Sequence, residues 1–251
     1  MEDRLLICIA FHLEPHRVQY LTKVLARFIN TYKVPFQIII DTNSHDTHKY
    51  LPKDPRISLV VHKRLKHPWN LTWAHRGHIK RKIDTYDVFM YLEDDMDIPY
   101  ENYLSYLEKF KLLWPKAVPG FVRLEESKGE YYHTDSTYPH VIPRSKLVEV
   151  KGRRFTSLAN PYYAFWIMPR TALKETLSPQ FTTIVEGGTK RITAASYLIA
   201  PWGPLKKPAL VELTLDLKVH PNSYCYHLPN NYIGSPFFAR FKIKDLVKVT
   251  G

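Results

Sequence analysis

Apolar positions along this chain change period several times, and each change marks an element. Leu5-Leu6-Ile7-Cys8-Ile9-Ala10 is a continuous apolar run that predicts a buried strand over residues 4–11. Val18, Leu21, Leu25, Phe28 and Ile29 then recur at helical spacing and predict an amphipathic helix. Pro35 opens a second apolar run, Phe36 to Ile40, which ends in Asp41-Thr42-Asn43-Ser44. Residues 57–61 (Ile-Ser-Leu-Val-Val) predict a third strand, and a helix is expected from about Thr72 to Ile83. Tyr86 to Leu92 reads as a fourth strand. Pro99 opens a helix in which Tyr103, Leu104, Leu107 and Phe110 share a face. This β-α-β-β-α-β rhythm predicts an α/β fold with a mainly parallel sheet flanked by helices.

Beyond Trp114-Pro115 the pattern loosens. Residues 117–169 are rich in proline, tyrosine and β-branched types, with short strand-like pieces. Helical signals return at Arg170–Leu177 and at Thr189–Ile199, and the last fifty residues are irregular and aromatic. With no internal repeat or linker, one domain over 1–251 is expected, with a regular half (1–113) and a less regular half (114–251).

Candidate chemistry concentrates where the fourth strand stops. Glu93-Asp94-Asp95-Met96-Asp97 places four carboxylates within five residues at the end of a buried strand. Carboxylates repel one another and resist desolvation, so such a cluster calls for a cation, and oxygen donors suit Mg²⁺ or Mn²⁺. On an extended chain Glu93, Asp95 and Asp97 point to one side and Asp94 to the other.

Composition narrows the picture further. The 251 residues are 45% hydrophobic and 14% aromatic, which fits a globular chain and excludes a disordered one. No apolar run reaches the roughly 18 residues that span a bilayer, and the start reads as a strand, not a signal peptide. Cys8 and Cys225 lie in no metal-ligand spacing. A soluble, cytoplasmic protein is expected, the alternative being a catalytic domain excised from a membrane-anchored enzyme. A net charge of +12 favours anionic partners: a nucleoside diphosphate, a nucleic acid or an anionic membrane surface.

With its preceding strand and the proline and aromatic helix after it, the acidic segment resembles the metal motif of GT-A glycosyltransferases, nucleotide-sugar enzymes of Rossmann-like fold. The resemblance covers chiefly residues 4–113 in two registers. Asp95-Met96-Asp97 is a literal Asp-x-Asp; Glu93-Asp94-Asp95 resembles the Glu-Asp-Asp of N-acetylglucosaminyltransferase-type enzymes, in which the last Asp holds the metal. Asp95 belongs to both.

The resemblance implies a single GT-A domain in which residues 1–113 bind the donor and 114–251 the acceptor. It implies Mn²⁺ or Mg²⁺ held by Asp95 and Asp97 and, as in many members, by a C-terminal histidine, His227 in preference to His220. Phe11, His12 and Asp41, after the first two strands, fall where base and ribose would sit, Asp94 toward ribose or sugar. Asn70 and Arg76 match a segment that touches the nucleotide or its phosphate. Glu186, ahead of a small-residue helix, matches the place of the catalytic base, with Asp216 as the alternative. Tyr162, Tyr163, Trp166, Trp202, Phe237 and Phe238 are available to stack on sugars.

The implied activity is metal-dependent transfer of a sugar from a nucleoside diphosphate donor to a glycan hydroxyl with inversion. The expected donor is a UDP-sugar, UDP-xylose among the possibilities. Two rivals use other features. A metal-dependent nucleotidyltransferase would share the carboxylates but needs a glycine-rich loop after the first strand, where this chain has Phe11-His12-Leu13-Glu14-Pro15. A basic nucleic-acid-binding protein would use the charge, but the acidic cluster repels phosphate, so no nucleic-acid partner is expected.

Overall fold

The computed structural model describes residues 3–135, 139–158, 165–177, 179–182, 206–235, 239 and 241–250. Glu186, the helix expected at 189–199, and Tyr162, Tyr163, Trp202, Phe237 and Phe238 lie outside them. The chain forms two compact units: Met1–Asp95 with Tyr163–Lys206, and Met96–Tyr162 with Lys207–Gly251. The boundary between Asp95 and Met96 falls inside the acidic segment.

The first unit is an α/β layer. Strands β1 (Leu5–Phe11), β2 (Phe36–Thr42), β3 (Ile57–Val61) and β4 (Val88–Glu93) are parallel, in the order β4-β1-β2-β3. All of β1 and β4 is buried, as continuous apolar runs in a covered parallel sheet should be. Strand Trp166–Pro169 extends the sheet antiparallel to β4. This spends Trp166, expected as a sugar platform, on the core, where it is 2% exposed.

Helix α1 (Val18–Thr31) buries Leu21, Val24, Leu25 and Phe28, the face its periodicity predicts. The helix expected from Thr72 instead begins as a 3₁₀ turn, Pro68–Trp73, and becomes α2 at His75–Lys82. Pro68 accounts for the early start, since its fixed φ suits a first helical position and His67 caps the turn by accepting from Trp69 N.

Register decides what meets at the edge of this sheet. Ala10 pairs with Asp41 on one side and with Glu93 on the other, so three strands end at one level. The chain runs β1-β2-β3 in one direction and returns to place β4 on the far side of β1. The crevice between the carboxyl ends of β1 and β4 is therefore a topological switch point, the place where open α/β sheets bind ligands.

The second unit is built from β5 (Met96–Asp97), α3 (Tyr100–Leu113) and short strands. Strand Tyr224–His227 lies between β5 and Val122–Ser127. Its core gathers Val122, Leu124, Val211, Leu213 and Leu246. Helix α3 departs from its predicted face: Leu104 is 40% exposed, whereas Asn102 and Lys109 are buried. Both polar side chains reach the segment ahead of Tyr224–His227. Asn102 Nδ2 donates to the Tyr224 carbonyl at 2.8 Å, and Lys109 Nζ to Ser223 Oγ at 2.8 Å. Unmet carbonyls in that turn are what draw polar groups into the helix face.

Candidate functional site

The connection after β1 and the turn after β4 are neighbours because their strands are. Pro15 opens a 3₁₀ turn, Pro15–Arg17, that runs directly into α1 and presents Arg17 over the end of β4. Opposite it, β4 stops at Glu93 and the chain turns through Asp94 and Asp95 before resuming as β5. The Asp94 amide still donates to the Ala10 carbonyl at 3.2 Å, which ties the turn to β1.

The extended-chain expectation fails here. Because Asp94 and Asp95 form a turn, their carboxylates converge instead of pointing apart. Arg17 Nε donates to Asp94 Oδ2 at 3.0 Å and Nη2 to Asp94 Oδ1 at 2.7 Å, a bidentate pair, and Nη2 also reaches Asp95 Oδ2 at 2.9 Å. Glu93, Asp94 and Asp95 are 6%, 2% and 5% exposed.

One guanidinium faces the two buried carboxylates of Asp94 and Asp95. Burial, followed by repulsion from Asp95, pushes the Asp94 carboxyl up to about 7 against the pull of Arg17. Burial opposes the charge on Arg17, but the two carboxylates outweigh it and hold the guanidinium above its ordinary value. Buried carboxylate oxygens are the donor type that a hard divalent ion takes.

Beside the trio lies a cavity of about 300 Å³, lined among others by His12, Glu14, Arg17, Trp69, Glu93 and Asp94. His12 is oriented by Asn43. Leu13 N donates to Asn43 Oδ1 at 2.7 Å, which turns Nδ2 toward His12 Nε2 at 3.1 Å. Nε2 therefore accepts, and Nδ1 faces Glu14 at 3.4 Å. Trp69 is 43% exposed on the cavity wall, and Asn70 sits half-buried on the same 3₁₀ turn. Phe11 is fully buried at the end of β1 and offers only its backbone.

Asp41 is buried at 1% exposure, and its Oδ1 accepts from His62 Nε2 at 2.7 Å and His78 Nε2 at 2.8 Å. Two histidines and a carboxylate this close form a metal-ligand set by proximity. Proton placement argues otherwise. Arg81 Nη2 lies 2.8 Å from His78 Nδ1 and can only donate, so neutral His78 carries its proton on Nε2, facing Asp41. A metal ligand would need a lone pair there, and its outer nitrogen normally donates. The cluster is a hydrogen-bonded clamp on Asp41. Among the described residues Asp41 Oδ2 is buried with no hydrogen-bond partner, an acceptor available to a donor group.

Arg76, expected at the diphosphate, is 1% exposed. Its guanidinium lies over the Trp73 ring at 4.0 Å and Nη1 donates to the Phe181 carbonyl at 3.2 Å. That enclosure holds α2 against residues 179–182 and turns the charge inward; among the described residues Arg17 is the arginine that meets the acidic turn.

In the second unit, His227 is buried, and its Nδ1 lies 2.6 Å from Glu125 Oε1. Glu125 Oε2 also accepts from the Tyr232 and Ile233 amides at 2.9 and 3.0 Å. A carboxylate partner on Nδ1 keeps the proton there and the lone pair on Nε2, the arrangement usual for metal-binding histidines. Asp97 is half-buried on β5, opposite Tyr226, while His227 is opposite Met96. Directly opposed residues share a face and successive residues alternate, so the pairing sets Asp97 and His227 on opposite faces. His220 caps a 3₁₀ turn, its Nδ1 accepting from Asn222 N at 3.2 Å. Asp216 occupies a surface turn, bound to Thr214 Oγ1 at 2.6 Å and 3.2 Å from Lys218.

Sequence reasoning missed Arg17, Trp69, His62, His78 and Glu125. Arg17 had a usable signal: it lies in the connection leaving a parallel strand, where ligands bind. Glu125 had none, being 102 positions from His227.

No protein-family model and no curated protein sequence matches this chain. Among solved structures, a mannosyltransferase from Pyrobaculum calidifontis, in complex with GDP-Man and Mn²⁺, is similar at a TM-score of 0.36 and 11% identity. The likeness covers 50% of this chain and 36% of that one, so this chain corresponds to about a third of that protein's length.

Proposed function

We propose that this chain is a metal-dependent glycosyltransferase that moves a sugar from a nucleoside diphosphate donor to a glycan hydroxyl. One observation carries the reading: the buried, acidic Asp94–Asp95 turn lies at the switch point between β1 and β4. An acidic, desolvated turn at the ligand-binding edge of a parallel sheet is suited to a cation that itself meets phosphate. Asp95 would hold Mn²⁺ or Mg²⁺; Asp97 and His227 are proposed as further ligands on the family resemblance alone, and within their own unit Glu125 orients His227. Bound there, the ion would neutralise charge on the departing diphosphate.

The chain's own residues supply the rest. Trp69 offers an aromatic face to a base or sugar, and His12, held by Asn43 and facing Glu14, lines the same cavity. Asp41 Oδ2, behind two histidines, is proposed to accept from a base or ribose donor, with Phe11 on the neighbouring strand opposite Thr42 and Asn70 on the Pro68–Trp73 turn. Asp94 stays paired with Arg17 and shapes the sugar side. Glu186 is proposed to take the acceptor hydroxyl's proton as it attacks the anomeric carbon, which gives inversion; Asp216, solvent-facing and locally bonded, is the second choice. A UDP-sugar, UDP-xylose included, is the proposed donor. Among the described residues no helix is long and apolar enough to cross a membrane.

Thermal melting with UDP, GDP, UTP and UDP-sugars, each with and without Mn²⁺, tests the reading. A cognate diphosphate or its sugar should raise Tm only with the metal, by an amount following RT ln(1 + [L]/Kd). Stabilisation by the triphosphate alone would favour nucleotidyl transfer, and no nucleotide response with Mn²⁺ would remove the proposal.

A further inference from the structure

We infer that His133, with His140 beside it, is an acid-released latch in the second unit: neutral, the pair lets residues 241–250 dock, and protonated it lets them go. Neither histidine has a part in the transfer proposed above.

Residues 241–250 are held through two strand pairings, and a histidine stands in each. Phe241–Lys242 runs antiparallel to Glu130–His133, with Phe241 opposite His133. Val247–Thr250 runs parallel to His140–Pro143, with Val247 opposite His140. The His140 amide also donates to the Leu246 carbonyl at 2.7 Å. The two imidazole rings meet edge to face, their centroids 6.0 Å apart. Docking is driven by apolar burial: Leu246 is fully buried in the core with Val122, Leu124 and Ile142, and Ile243 and Val247 pack against it.

His133 is 1% exposed, and among the described residues neither of its ring nitrogens has a hydrogen-bond partner; nor does the buried Nε2 of His140. A neutral imidazole therefore leaves a donor and an acceptor unmet, a cost that an apolar side chain would avoid. A charged imidazole there costs more still. The charged groups acting on His133 are Asp135, which favours a proton, and His140 and Arg123, which oppose it. Asp135 is already gripped by Arg123, through Nη2 at 2.6 Å and Nε at 3.2 Å. On the docked segment Phe241 is apolar, Lys242 pairs with Glu130 at 3.3 Å, and Lys244, Asp245 and Lys248 are exposed. Burial thus prevails and pushes the His133 pKa down to about 4 from its ordinary 6.5, and burial lowers that of His140 as well. Undocking takes Phe241 from opposite His133 and admits water to the ring. Between those two values the released form holds a proton that the docked form has shed, so docking weakens as pH falls below about 6.5 and levels off below about 4.

Hydrogen exchange of the full-length protein, read by mass spectrometry from pH 7.5 to 5 and corrected for intrinsic rates, tests the latch. In wild type the protection of residues 241–250 should fall about 30-fold over that range, the effect of one histidine titrating between 6.5 and 4. Helix α3, in the same unit, should keep its protection, which separates local release from unfolding of the unit. His133→Phe should abolish most of the fall, and His140→Phe should reduce it. His133→Gln, uncharged and smaller than phenylalanine, guards against a packing defect and should also lack most of the fall. A wild-type profile that does not change with pH, a fall shared equally by α3, or a fall kept in both His133 variants overturns the latch.

Discussion

Replacing Lys109 with Met removes a buried ammonium from α3, and the effect on stability should depend on pH in one direction. Lys109 is 2% exposed, with Nζ donating to Ser223 Oγ at 2.8 Å and to the Asn222 carbonyl at 3.2 Å. Glu212 Oε2 lies 3.5 Å away but is also bound by Arg153, at 2.7 Å. Burial drives the ammonium pKa down to about 8 from its ordinary 10.5; Glu212 pulls it back up and Arg153 pushes it further down. Between those two values the unfolded chain keeps a proton that the folded chain has shed, so wild-type stability rises with pH. The penalty is fully present below about pH 8 and is gone above 10.5. At about 1.36 kcal/mol per pH unit it amounts to about 3 kcal/mol. Lys109→Met has no such titration. The difference in unfolding free energy, wild type minus variant, should therefore climb by about 3 kcal/mol from pH 7.5 to 10.5. Urea denaturation in half-unit pH steps, followed by tryptophan fluorescence, measures it, and groups common to both proteins cancel. A flat difference, or one that moves toward the variant as pH rises, refutes the reasoning.

Other outcomes follow from the same geometry. Asp95→Asn should weaken Mn²⁺-dependent UDP binding by about 100-fold or more, beyond the effect of losing an outer partner, with circular dichroism unchanged; retained binding would move the cation elsewhere. Glu125→Ala orphans His227 Nδ1 and two amides at about 1–3 kcal/mol each, so urea unfolding should show a loss of at least about 3 kcal/mol, and Glu125→Gln roughly half. An unchanged midpoint for the Ala variant would contradict this role. Arg76→Met should lower stability by about 1–3 kcal/mol and leave UDP affinity within about twofold; a selective loss of affinity would return Arg76 to the donor site. Glu186→Gln should keep donor binding and lower turnover by about 10²–10⁴-fold, with unaltered turnover excluding it as the base.

Much of the first unit was legible in the sequence because its signals are local. Continuous apolar runs such as Leu5–Ala10 and Val88–Leu92 read as strands covered on both faces, and the spacing of Leu21, Leu25 and Phe28 marks one helix face. The acidic turn was legible for the same reason: four carboxylates at a strand end need no partner to be noticed. Tertiary structure alone decided what those groups meet. Arg17 is 77 positions from Asp94, His78 is 37 from Asp41, and Glu125 is 102 from His227. No periodicity encodes such pairings; they depend on which strand lies beside which and in what register. Placing β4 next to β1 turned an arginine in a loop into the counter-ion of the site. Likewise, folding residues 179–182 over Trp73 took Arg76 out of water, and unmet carbonyls at Asn222 and Tyr224 drew Lys109 and Asn102 into a helix face that hydrophobicity assigned to Leu104. Side-chain charge is written in the sequence, but whether it is spent on a neighbour, a ring or a ligand is settled by long-range packing and the cost of leaving it unpaired.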